Sequence, residues 1–122
     1  MIKGKKLAKK KVVVVIKSNP FSWKVFEALR LAVGISMEHK TYVIFMKDGI
    51  YTLTDWKPKM IGIEPIDKSI EALGMMEAEI IAEEEAIRER GVKLKEWPTK
   101  INVMPKDNIS DIIKESEVVL TW

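Results

Sequence analysis

Residues 12–16, Val-Val-Val-Val-Ile, are apolar on both faces of an extended chain. A strand without polar alternation is covered on both sides, as the central strand of a parallel sheet between helices is. The run ends in Ser18, Asn19, Pro20, Phe21 and Ser22, a turn cluster in which Ser22 is placed to cap the helix that follows. Over residues 23–37, Phe26, Leu29 and Val33 recur at helical spacing with Val25 and Ala32 beside them. Residues 41–46, Thr-Tyr-Val-Ile-Phe-Met, predict a second buried strand. Lys47, Asp48 and Gly49 then turn the chain, and residues 50–53 read as a short extended piece. Residues 54–65 contain Trp56, Pro58, Gly62 and Pro65 and read as a loop. Asp67 can cap a short helix over residues 68–73, closed by Gly74.

Residues 79–82, Glu-Ile-Ile-Ala, are a third strand, followed at once by a helix over residues 83–90. Glu83, Glu84 and Glu85 complement the positive end of that helix, Arg88 and Arg90 its negative end, and Gly91 supplies a left-handed stop. A competing reading fuses residues 75–90 into one long helix, because Met, Glu, Ala and Ile all tolerate helix. The alternation of strand and helix in the rest of the chain favours the break. A connection containing Trp97 and Pro98 leads to a short strand over residues 101–104. Asp107 or Asn108 caps a helix to about residue 115 with Ile109, Ile112 and Ile113 on one face, and residues 118–121 form the last strand. Five strands alternating with helices predict a single α/β domain, a three-layer sandwich around a mostly parallel five-stranded sheet.

Composition narrows the chemistry. The 122 residues contain no cysteine and one histidine, His39. Disulfides, Cys-ligated metal and redox thiols are therefore excluded, and a lone imidazole cannot build a two-His metal site. No resident metal or cofactor is expected, and His39, between Glu38 and Lys40, reads as a solvated surface residue. Trp23, Trp56, Trp97 and Trp122 are many for a small chain, and those the core does not need suit a subunit interface. The seven methionines, Met75 and Met76 among them, read as core or interface filler. The 32% charged content, rich in Lys and Glu, is compatible with a thermophilic source.

The net charge of +3 is unevenly placed: residues 1–24 carry eight lysines and no acid, so the rest of the chain is net negative. Residues 1–10 form a basic arm that could meet nucleic-acid phosphates or an anionic membrane surface. With no aromatic and no arginine in the arm, a solubilising terminus is favoured over nucleic-acid binding. The five-residue apolar run at 12–16 is too short for a signal-peptide core or a membrane span, which makes the cytoplasm the expected compartment.

Several segments, taken in order, carry a resemblance: the strand of residues 12–16 with its Ser/Asn/Pro loop, and Ala28-Leu29-Arg30-Leu31-Ala32. After them come Val43-Ile44-Phe45-Met46 running into Lys47-Asp48-Gly49-Ile50-Tyr51, then Leu73-Gly74, Ile87-Arg88-Glu89-Arg90-Gly91 and the closing Ser116 to Trp122. This ordered set resembles the DsrE/DsrF-like family of small sulfur-relay proteins, which includes the TusB, TusC and TusD subunits, and is most similar to TusC/DsrF. The resemblance covers nearly the whole chain, residues 1–122 as one domain. It implies a flavodoxin-like fold, oligomers built through sheet-edge and helix contacts, and cytoplasmic sulfur transfer. Partners would be further copies of the chain or DsrE/TusD-like subunits. Members of the DsrE and TusD type hold sulfur as a persulfide on a cysteine near the end of the third strand. By the same resemblance, that place falls here at or within a residue of Glu83, and a carboxylate cannot form a persulfide.

In such a fold ligands bind beyond the carboxyl ends of the strands. The candidate pocket residues are Ser18 and Asn19 after strand one, Lys47 and Asp48 after strand two, and Glu83 after strand three. Together they could bind a small polar ligand, with Glu83 as a general base. Each also has an ordinary structural explanation, as turn residues or as the acid a helix start prefers. The sequence therefore points to a non-catalytic scaffold or partner subunit, with a small-ligand module or enzyme built on Glu83 as the alternative.

Overall fold

The computed structural model describes residues 10–55 and 66–122. The expectations for residues 1–9 of the basic arm and for residues 56–65, Trp56 included, lie outside the described residues. Along the chain come β1 (Lys11–Ile16), α1 (Trp23–Ser36), β2 (Lys40–Phe45), a 3₁₀ segment (Lys47–Leu53) and α2 (Asp67–Met75). Then follow β3 (Glu79–Glu83), α3 (Glu84–Arg90), β4 (Ile101–Met104), α4 (Lys106–Lys114) and β5 (Val118–Thr121). The strands form one sheet in the order β4-β3-β2-β1-β5, with every neighbouring pair parallel. This is a three-layer α/β sandwich of the flavodoxin-like kind.

The layering follows from the handedness of parallel crossovers. The connections β1 to β2, β2 to β3 and β3 to β4 step the same way along the sheet, so their helices share one face. There Val14, Ile16, Val43, Phe45, Ile80 and Ala82 pack against Val25, Leu29 and Ala32 of α1, Ile70 and Leu73 of α2, and Ala86 of α3. The return from β4 to β5 reverses direction and places α4 on the opposite face. Ile109 of α4 is buried there with Val13, Val15, Ile44 and Ile81, and Ile112 and Ile113 are packed at its margin. Both faces of β1 are thus covered, as its unbroken apolar run requires. Each such side chain removed from water contributes about 1.5–3 kcal/mol.

The break between β3 and α3 is present, and a fused helix over residues 75–90 is not. α3 starts at Glu84, one residue later than expected, with Glu83 as its N-cap residue. Gly91 closes it in the left-handed region at φ 58°. Ser22 caps α1 as expected, its Oγ accepting the Lys24 N–H at 3.1 Å. His39 is half-buried rather than fully solvated, and its Nδ1 accepts the Lys10 N–H at 3.1 Å.

Other expectations needed correction. Residues 50–53 belong to the 3₁₀ segment and are not extended: Ile50 and Leu53, one 3₁₀ turn apart, are both fully buried. Asp67 is the first residue of α2 rather than its cap, and its carboxylate instead accepts from Lys95 Nζ at 2.9 Å. Gly74 lies inside the last turn of α2 and does not stop it. It is favoured there by close approach, because a Cβ would stand 2.6 Å from Cγ2 of Thr99 and force that side chain to shift. α4 begins at Lys106 without a side-chain cap from Asp107 or Asn108; Glu85 of α3 accepts the Lys106 N–H at 2.9 Å.

Candidate functional site

β3 and β4 are neighbours whose following helices, α3 and α4, leave to opposite faces of the sheet. In doubly wound sheets such a divergence, at the carboxyl ends of the two strands, is where ligands characteristically bind. Glu83 is the last residue of β3 and stands at this point. It is only 2% exposed. The hydrogen bond from the Lys106 N–H to Glu85 links the start of α4 to the first turn of α3.

The Glu83 carboxylate does not cap its own helix. Its Oε1 reaches across to β2's end and accepts the backbone N–H of Lys47 at 3.0 Å. Lys47 is a non-glycine residue in the left-handed region, with φ 50°. That conformation costs about 1 kcal/mol or more for a residue with a Cβ. The charge-assisted bond from the carboxylate offsets it and holds the turn. Among the described residues no Lys or Arg comes within ion-pair distance of Glu83. The protein therefore keeps a buried acid at this junction whose described hydrogen bond goes to the main chain.

The turn that Glu83 holds is fixed twice more. The Gly49 N–H donates to the Met46 carbonyl at 2.8 Å, and a Cβ on Gly49 would lie 2.0 Å from the Ile16 carbonyl oxygen at the end of β1. Only glycine lets the 3₁₀ segment pass this close to backbone. Asp48 is exposed, and its Oδ1 accepts from Arg90 Nε at 3.1 Å and Nη2 at 3.0 Å. One cluster thus binds the end of β2, the start of the 3₁₀ segment, the end of β3 and the far end of α3.

Of the five candidate residues, Lys47, Asp48 and Glu83 share one hydrogen-bonded network, and Ser18 and Asn19 make no described hydrogen bond to it. The β1 end lies two strands from β3, and Asn19 is engaged locally, its Oδ1 accepting the Phe21 N–H at 2.9 Å. Arg90 belongs to the cluster but was read from sequence only as a cation at a helix end. Its partnership with Asp48 spans 42 positions, so no local pattern announces it. A groove of about 650 Å³ runs along β4, from Gly74, Ala78 and Glu79 opposite Thr99 at the amino end to Met104, and Glu83 does not line it.

Chemically, the junction offers a carboxylate, a backbone turn and a clamped Asp–Arg pair. It offers no thiol, since the chain has none. No group of three His, Cys, Asp or Glu residues placed to hold a metal ion occurs among the described residues. Nor, among them, is any helix long and apolar enough to cross a membrane.

Comparison with known proteins bears directly on this architecture. No curated protein matches the sequence. Among solved structures, the crystal structure of the YchN protein from E. coli is similar, with a TM-score of 0.78 over 94% of this chain and 100% of that one. The two share 18% sequence identity, so this likeness speaks to the fold. The sequence profile of the DsrE/DsrF-like family matches residues 10–122, from just before β1 to the end of β5. With the whole sheet inside the match, the chain belongs to the DsrE/DsrF-like family.

Proposed function

We propose that this protein is a non-catalytic member of its family, a scaffold or partner subunit in intracellular sulfur transfer that does not itself carry persulfide. The observation that supports this most is the identity and state of residue 83. The resemblance puts the sulfur-bearing cysteine of DsrE- and TusD-type members at the junction of the third strand and the next helix. Here that junction holds Glu83, buried and hydrogen-bonded to the Lys47 N–H, in a chain with no cysteine. A carboxylate has no sulfur to oxidise or persulfidate. It does what a structural side chain does, holding a strained turn.

In this reading the chain acts through association, either with copies of itself or with Cys-bearing relatives of the DsrE/TusD kind, and TusC/DsrF-like members are the nearest parallel. Size-exclusion chromatography with light scattering on protein purified from its source tests it. An oligomer, or a complex with a Cys-bearing family member, is expected; a strict monomer with no companion contradicts it.

A second reading, a small-ligand module or enzyme built on Glu83, draws on one observation: a buried acid at the end of β3 without a described cation partner. Thermal-shift screening of the wild type and of Glu83→Gln separates the two. A ligand whose stabilisation vanishes in Glu83→Gln supports the second reading, and equal responses remove it.

A further inference from the structure

The inner face of α1 is buried through Val25, Ala28, Leu29 and Ala32. Its outer face carries Trp23, Glu27, Arg30, Gly34 and, just past the helix, Met37. Those positions advance by four, three, four and three residues, which is the spacing of a helix–helix seam. Trp23 is 68% exposed and Met37 65%, and Leu31, bordering the seam, is 42% exposed. Glu27 and Arg30 are exposed and make no ion pair with any described residue.

Gly34 is the feature the single chain leaves unexplained. A Cβ added there would meet nothing within 4 Å, and its φ is not in the left-handed region. The helix continues past it through Ser36 and ends on a right-handed Met37. Glycine thus weakens this helix without being needed for a turn, a cap or a close approach inside the fold. A bare helix backbone on an outer seam is what a bulky side chain of another molecule needs in order to sit close.

We propose that the outer face of α1 is the contact surface for a second copy of this chain, in an antiparallel α1–α1 pair. Trp23 of each copy seats on the partner's Gly34, and Glu27 of each faces the partner's Arg30. The two-fold axis makes every contact occur twice, so the knob, the hole and both charges come from a single helix. Charge selects this register. Sliding the helices to the next seam alignment would set Trp23 on the partner's Met37, leave Glu27 over the partner's Gly34 and oppose Arg30 to the partner's Arg30, a like-charge contact. α1 has 14 residues, a length of about 21 Å. A seam this short is smaller than a permanent interface, so the pair dissociates on dilution and loosens as salt screens its ion pairs.

This inference deepens the association reading above and depends on it only in treating self-association as part of how the chain works. Sedimentation equilibrium of the full chain over a concentration series tests it. The series comprises wild type, Glu27→Arg, Arg30→Glu, the double swap in one chain, an equimolar mixture of the two single variants, and Gly34→Leu. Each single swap is expected to weaken self-association at least about tenfold, and the double swap and the mixture to restore it. Gly34→Leu is expected to abolish pairing without lowering the melting temperature of the monomer. Self-association unchanged across all variants would place the interface elsewhere and overturn this proposal, leaving the association reading intact. A wild type that is monomeric throughout but bound to a Cys-bearing relative would overturn the self-pairing alone. A monomer with no companion would remove both.

Discussion

The carboxyl ends of β1 and β3 lie on the same side of the sheet, two strands apart, and are held in different ways. At the end of β1 the Lys17 N–H donates to the Trp122 carbonyl at 2.7 Å. The turn through Ser18 and Asn19 that follows is held by bonds that reach two or three residues, Phe21 N–H to Asn19 Oδ1 and Ser22 N–H to the Asn19 carbonyl. After β3 the bonds reach across the fold: Glu83 to Lys47 over 36 positions, Arg90 to Asp48 over 42. The Asn19 bonds hold the turn itself. The contacts at the β3 end also set the angle of the 3₁₀ segment, the strained Lys47 and the foot of α3. In the reading proposed above, the junction that the resemblance matches to the sulfur-bearing position of Cys-containing members serves in this chain as a structural joint.

Substitutions can break or sharpen that contrast. The largest effect is expected at Gly49, where any Cβ meets the backbone of β1 rather than a yielding side chain. Gly49→Val should destabilise by about 3 kcal/mol or more, read as a lowered midpoint in urea. Glu83→Ala comes next: it leaves the Lys47 N–H without its acceptor at a cost of about 1–3 kcal/mol. Glu83→Gln keeps an acceptor and removes a buried charge, so it should cost much less than the alanine variant. If the two variants cost the same, the hydrogen bond to Lys47 is not what Glu83 provides.

A smaller effect of opposite sign is expected at Lys47. Lys47→Gly relieves the left-handed strain and should stabilise by up to about 1 kcal/mol in the same assay. The smallest belongs to the β1 end: Asn19→Ala removes one exposed local bond and should stay within about 0.5 kcal/mol. An Asn19 effect as large as that of Glu83→Ala would erase the distinction between the two strand ends.

The β-branched run of β1 and the apolar face of α4 were legible in the sequence, because burial on both faces or on one stripe imposes a period that residues display directly. The break before α3 was legible through rhythm, where propensity alone favoured a continuous helix. Three features were not. Ile50 and Leu53 stand one 3₁₀ turn apart, a spacing that four residues cannot distinguish from an extended piece. Gly74 reads as a helix stop until Thr99 is seen against it, 25 positions away. Glu83 reads as a pocket residue or as the acid a helix start prefers, and its bond to the left-handed Lys47, 36 positions away, appears only in the fold. The last two depend on a partner distant in the chain, which a local pattern does not contain.

Native mass spectrometry of the protein isolated from its source tests the central claim most directly, since one spectrum reports both assembly and covalent sulfur. The account predicts an assembly, with itself or with a Cys-bearing relative, in which this chain retains its unmodified mass. A lone monomer, or a sulfur adduct on this chain, would contradict it.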